Sequence, residues 1–246
     1  MDQKFISIMF LSILKSIYNI LFLTLLPFIG MSQTADTVRI KPDWNPSRLH
    51  VGIDVSRLMG TAIKPHKSSL GGMIDLDFHR FLLAFEGGVE QINRIKTYEY
   101  TNQGAFLKWG IDYNLIPSNE YRNMISLGLR YAQSRFSDQL DFTQENLWFG
   151  TQTLQFSNQN ISAHWTEILL RLNVQVWKNV FLGSVLRIEI MKNISAPDQF
   201  IPFDIPGWGR HWKSGTDEKT ANMGFSYYLI YHFSFREKEI PLKKIK

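Results

Sequence analysis

The chain has no cysteine. That excludes disulfides, thiol chemistry and a lipid-modified N-terminal cysteine, so any membrane attachment must come from the fold itself. Beyond residue 32 there is no apolar run long enough to span a bilayer as a helix. A Gly-rich phosphate loop, a His-Glu-x-x-His helix and a Gly-x-Ser-x-Gly elbow are all missing, so the sequence predicts no enzyme activity and no cofactor. The charge balance, +5 over 246 residues, contains no block of like charge, which argues against nucleic acid as a partner.

What the chain does have begins at its N-terminus. Lys4 and Lys15 precede an apolar run from Ile17 to Ile29 that ends in Gly30-Met31-Ser32, the layout of a secretory signal peptide over residues 1–32. The alternative is an uncleaved membrane helix, since Phe5 to Leu14 is also apolar, but Lys15 splits that run. Cleavage near Ser32 removes two cations and one anion and leaves a single-domain chain at +4. Residues 33–47, polar and holding Pro42 and Pro46, read as an extended periplasmic lead-in.

From residue 48 to 235 the dominant pattern is a period of two. Leu49, Val51, Ile53 and Val55 alternate with His50, Gly52, Asp54 and Ser56, predicting a first strand over Arg48–Leu58. Further strands follow at about Gly71–Phe78, from Phe81, at Ala105–Leu115, Ile125–Ala132, Glu167–Val176 and Leu182–Ile190, and at Asn222–Phe235. Short turns are expected at His79-Arg80, Pro117–Tyr121 and Lys178-Asn179; the other connections are long, including Asn93–Gln103, Arg135–Ile161 and Met191–Thr220. Eight strands with short turns on one rim and long loops on the other predict an all-β, antiparallel, up-and-down transmembrane β-barrel in the bacterial outer membrane. A lipocalin-like soluble barrel has the same alternation with the faces exchanged. Glycines at 52, 88, 104, 110, 128, 183 and 224 all fall on the polar face, where a narrow lumen needs small residues and a solvated exterior does not.

The segment Met31-Ser32-Gln33, and Lys41-Pro42-Asp43-Trp44-Asn45-Pro46-Ser47-Arg48-Leu49 leading into Val51-Gly52-Ile53-Asp54-Val55, resemble the opening of an uncharacterised family of outer-membrane barrels from Bacteroidota, with PorT-like small barrels as wider relatives. The resemblance implies location and fold and carries over no catalytic residue. A basic tail, 236–246, follows Phe235 where an outer-membrane barrel would normally end, and is expected to be periplasmic.

If the polar face is the lumen, Asp54, Glu86, Lys108, Asp112, Arg130, Glu167, Arg171, Arg187 and Glu189 form an ion-pair network, joined by Asp75, Asp77 and Glu90. The list is richer in acids than bases, and a barrel this narrow is filled by its side chains rather than open as a pore. His232 and Ser234 lie two apart on one strand face, as in barrel lipid A deacylases, but parity aims both inward, away from lipid. Trp208, Arg210, His211 and Trp212 offer a loop contact surface; the alternative is that these aromatics close the rim with Trp148 and Phe149. The reading is a structural or interaction protein, an accessory subunit of an envelope secretion or outer-membrane assembly machine, with outer-membrane lipid, lipopolysaccharide and other envelope proteins as partners. A lipid-modifying enzyme and a small-solute channel are the alternatives.

Overall fold

The computed structural model describes residues 44–95, 98–116, 123–146, 150–195, 197, 199–211 and 218–235. The expected signal peptide, most of the lead-in, the turn at Pro117–Tyr121, Trp148, Phe149, Trp212 and the basic tail lie outside the described residues.

The strands are β1 (Pro46–Asp54), β2 (Lys67–Phe78), β3 (Phe81–Ile95), β4 (Tyr98–Asn114), β5 (Met124–Asn146), β6 (Gly150–Trp177), β7 (Val180–Ile194), a two-strand ribbon of β8 (Asp204–Ile205) and β9 (Gly209–Arg210), and β10 (Ala221–Ser234). Among the described residues eight of them close an antiparallel barrel, each bonded to its sequence neighbour and β10 bonded to both β7 and β1. Followed around the ring, the register passes His232, His50, Asp75, Ala84, Gly110, Arg130, Glu167 and Glu189 and re-enters β10 at Asn222. That offset of ten residues on eight strands, at ~3.3 Å per residue and ~4.8 Å between strands, tilts the strands by about 40°.

Alternation sorts the two faces. Ile53, Ile74, Val89, Ile111, Leu129, Ile168 and Leu186 are exposed on the outer wall, whereas Asp75, Asp112, Glu167 and Arg171 are fully buried inside. The inner wall is not purely polar: Met73, Leu169, Phe181, Val185, Tyr228 and Ile230 pack together beside the charges. His79-Arg80 and Lys178-Asn179 join β2 to β3 and β6 to β7, with positive φ at His79 (55°) and Lys178 (29°), the backbone a two-residue hairpin demands.

Three expectations need correction. The first strand stops at Asp54, and Val55–Ile63 is a helix, α1. Asp54 caps it, its Oδ1 accepting from the Arg57 amide at 3.1 Å. The loops expected at Asn93–Gln103 and Arg135–Ile161 are instead strand: β3 and β4 are separated by residues 96–97 alone, and β5 and β6 by 147–149. In these stretches polar residues occupy both faces in places, as in Thr101 to Gln103, Ser137 to Gln139 and Ser157-Asn158, so the hydrophobic alternation is interrupted while the ladder continues.

Because β1 ends at Asp54, Lys67–Gly71 of β2 and Ala221–Tyr227 of β10 have no strand between them. Helix α1 stands in this gap, touching both. The Thr61 hydroxyl occupies the edge of β2 as a strand would, accepting from the Ser69 amide at 2.8 Å and donating to its carbonyl at 3.1 Å. Leu58, Met59 and Ile63 face outward, 43%, 55% and 72% exposed. Replacing Thr61 by Val keeps the shape and strands both backbone groups, so T61V is expected to lose about 1–3 kcal/mol in equilibrium unfolding by urea.

Candidate functional site

Within the barrel the charges form one connected network. Arg130 grips Asp112 with both terminal nitrogens, Nη1 to Oδ1 at 2.5 Å and Nη2 to Oδ2 at 2.9 Å, the bidentate geometry that makes guanidinium–carboxylate pairs strong. Arg171 donates to Asp75 and lies 3.3 Å from Asp112. Arg187 donates from Nη1 to Glu86 (3.0 Å) and to Glu167 (2.9 Å), and from Nη2 to the Tyr228 hydroxyl (3.2 Å), which in turn donates to Glu86 (3.0 Å). Lys108 Nζ donates to Glu167 Oε1 at 2.6 Å and lies 3.6 Å from Glu189; the Trp165 indole donates to the same Glu167 oxygen at 2.7 Å. All of these groups are buried, which is tolerable because each charge is matched at contact distance.

The acidic excess read from the sequence largely disappears. Asp54 pairs with Arg57 (3.2 Å), and Glu90 with Arg57 (3.0 Å) and Lys67 (2.7 Å). Arg57 and Lys67 are not reached from the sequence: a first strand through Leu58 puts Arg57 on the outer face, and a second strand starting near Gly71 leaves Lys67 in the preceding loop, whereas β2 begins at Lys67. The signal was available: Asp54 is a good N-cap, and Leu58, Met59, Ala62 and Ile63 follow with helical spacing. The side chains of Asp54, Glu86, Lys108, Asp112, Arg130, Glu167, Arg171, Arg187 and Glu189 are thus all buried in the lumen, Asp54 in a cluster with Glu90 and the rest in the central network.

Above the network the long connection between β7 and β10 folds into the barrel mouth. Ile205 and Trp208 are buried with Phe106, Ala132, Phe136, Ile161, Ala163 and Trp165. Four side chains of the wall donate to backbone carbonyls of the segment: Asn158 to Phe200 O (2.7 Å), Asn102 to Asp204 O (3.0 Å), Lys108 to Gly207 O (3.0 Å) and Asn222 to Trp208 O (2.8 Å). Arg94 clamps the Asp204 carboxylate at 2.6 and 3.0 Å. Gly207 has φ +83° and lies against Phe106, where a Cβ would fall 2.4 Å from Cγ, so only glycine fits.

The loop contact surface is therefore corrected. Trp208 and His211 are each 2% exposed and turned into the mouth, so they fill the rim rather than present themselves to a partner; Arg210 is exposed. Trp208 also meets His211 edge-on at 5.7 Å between ring centroids. A run of aromatics and glycines looks the same in a sequence whether it packs inward or outward, and only the polar anchors on β4, β6 and β10 decide it.

At the short-turn end the His232 ring lies between His50, 3.8 Å away between centroids, and Phe181, 3.6 Å away. Ser234 is exposed. Among the described residues no group of three or more His, Asp or Glu side chains is placed to hold a metal ion.

Two outcomes follow from this geometry. Arg187→Met leaves Glu86 and Glu167 with fewer counter-charges and is expected to lower unfolding stability by about 3–5 kcal/mol, with partial recovery in the double variant that adds Glu86→Gln, while Arg210→Ala stays within about 0.5 kcal/mol of the parent. Burial pushes His211 below the ordinary histidine range, and Glu218, 3.5 Å from Nε2, only partly opposes this. The docked mouth segment thus favours the neutral ring: its stability is complete above about pH 6.5 and declines as the pH falls from there through the lowered value. Protection factors of residues 200–211, which divide out the intrinsic slowing of amide exchange in acid, should fall on acidification, and His211→Gln should flatten that dependence.

No curated protein matches the sequence. A solved structure similar in fold is that of Neisserial surface protein A (NspA), at 11% identity and a TM-score of 0.41, covering 76% of this chain and 95% of that one. A family model, the domain of unknown function DUF6048, matches residues 3–238, nearly the whole sequence, and the chain belongs to that family.

Proposed function

We propose that this protein is an integral outer-membrane β-barrel with a closed lumen, acting through its surfaces as an accessory subunit of an envelope secretion or outer-membrane protein assembly machine. The observation that carries the membrane reading is the inverted distribution of polarity: charges are buried and matched inside, and the outer wall is a continuous apolar belt. Trp44 stacks on Phe81 at 6.1 Å, and Phe81 meets Tyr113 edge-on at 5.3 Å, in the manner of an aromatic girdle at the short-turn rim. A water-soluble barrel would instead leave this belt in contact with solvent. The origin in Bacteroidota and kinship with PorT-like barrels rest on the lead-in and first strand.

Two features support an interaction role over conduction. The lumen is filled by the ion network and its mouth by the docked segment. The β5–β6 hairpin extends past β7, because β6 pairs with β7 only from Ala163 onward, while on its other side β4 follows β5 as far as Phe142; the extension exposes Phe142, Leu154 and Phe156. Such a projecting sheet with an apolar face and a free β6 edge suits contact with another envelope protein.

The test is fractionation of native membranes followed by affinity purification of the full chain in mild detergent. Recovery in the outer-membrane fraction with a defined set of co-purifying envelope proteins is the expected result, together with no stable current steps when the refolded protein is added to planar bilayers. A lone monomer overturns the accessory role, ion-selective steps overturn the closed lumen, and recovery in the inner membrane overturns the location.

A further inference from the structure

The outer wall carries a groove of about 790 Å³ that starts under α1 and crosses β2, β3, β4 and β5 to Asn160 of β6. Its volume is within the range of small-ligand sites. Two neighbouring register rows floor it. The lower row runs Leu70, Val89, Ala105 and Arg135; the row nearer the far rim runs Ser68, Gln91, Gln103 and Ser137. Side chains of one row on one face are about 5 Å apart between adjacent strands, so three apolar positions lead directly to a cation, with a polar row above them.

Arg135 is exposed, and among the described residues no ion pair or hydrogen bond engages it. The one carboxylate residue lining the groove, Glu90, is 4% exposed and turned inward to Arg57 and Lys67, so it does not neutralise Arg135. Leu58 of α1, 43% exposed, overhangs the apolar end.

We propose that this groove binds a phosphorylated glycolipid of the outer leaflet, of the lipid A class, with an acyl chain along Leu58, Leu70, Val89 and Ala105 and a phosphate on the Arg135 guanidinium. The proposal rests on the outer-membrane reading. The apolar row below and the polar row above place the groove where the hydrocarbon of a bilayer gives way to headgroups, and an unneutralised guanidinium at that level complements a phosphate in charge and in fork geometry. A zwitterionic phospholipid supplies acyl chains but no net negative charge. Discrimination therefore falls on the phosphate.

The test uses the full chain refolded in phosphatidylcholine vesicles, with insertion read independently by protease protection and heat-modifiable mobility. Native mass spectrometry then follows titration with bisphosphorylated lipid A and with its dephosphorylated form. One lipid A bound per barrel is expected, weakened about tenfold by loss of the phosphates or by Arg135→Glu. Ala105→Trp fills the groove and should also weaken binding, while Arg210→Glu should not. Equal binding of both lipids, or no effect of Arg135→Glu in an inserted barrel, overturns the lipid site and leaves the membrane reading standing. Failure to insert overturns both.

Discussion

A sheet closed by eight strands encloses so narrow a space that every charge placed in it must find its counter-charge among side chains already there. The network around Glu86, Glu167 and Arg187 meets that constraint with contact distances of 2.9–3.0 Å between Arg187 and the two carboxylates. Its partners come from β3, β6 and β7: Glu167 and Arg187 belong to one hairpin, and the Glu86–Arg187 pair fixes how strands far apart in sequence face one another across the lumen. Buried pairs contribute little net stability relative to an apolar core, because desolvation offsets most of the attraction. What they do supply is a penalty for misalignment: sliding one strand by a single residue would send its inward charges to the outer wall.

The pattern that produces this arrangement was open to reading in the sequence because a strand in a barrel has a strict period of two. Ile111 and Asp112, or Leu170 and Arg171, could be assigned to opposite faces without knowing anything else about the fold. The same rule failed in three places for physical reasons. It overran Asp54 because Val55 and Ser56 continue the alternation by chance before the helical spacing of Leu58, Met59 and Ile63 takes over. It stopped short at Arg135 and at Ile161 because ladder hydrogen bonding needs no apolar face once both faces are polar. It also could not orient Trp208 and His211, whose inward direction is imposed by Asn102 and Lys108 of β4, Asn158 of β6 and Asn222 of β10.

The early end of β1 shapes the far half of the barrel. A strand of full length there would have paired both β2 and β10 and left the wall continuous. Instead α1 brings Arg57 inward, where its charge answers Asp54 and Glu90 and its guanidinium lies 4.4 Å from the Phe106 ring centroid. The helix presents apolar residues outward in the same turn. A strand could not do both jobs here, since its alternate residues are too few and too widely spaced to supply the capping, the cation and the hydroxyl that closes the β2 edge. The cost is a seam in which Ala221–Tyr227 of β10 lacks a strand partner on one side.

Lys108 ties the interior to the mouth. Its ammonium has three donors, and the contacts at Glu167, Glu189 and the Gly207 carbonyl use its reach on both the ion network and the docked segment. Lifting that segment would therefore remove an acceptor from a buried cation and uncover Trp208 and Ile205 together, so mouth and lumen behave as one packed unit rather than as a channel with a loose cover. This packing is the basis of the closed lumen proposed above. The surfaces that remain adjustable are the outer wall at the groove, the face of α1 and the projecting hairpin, and it is on these that selection for a partner or a lipid can act without disturbing the pairs that hold the barrel in register.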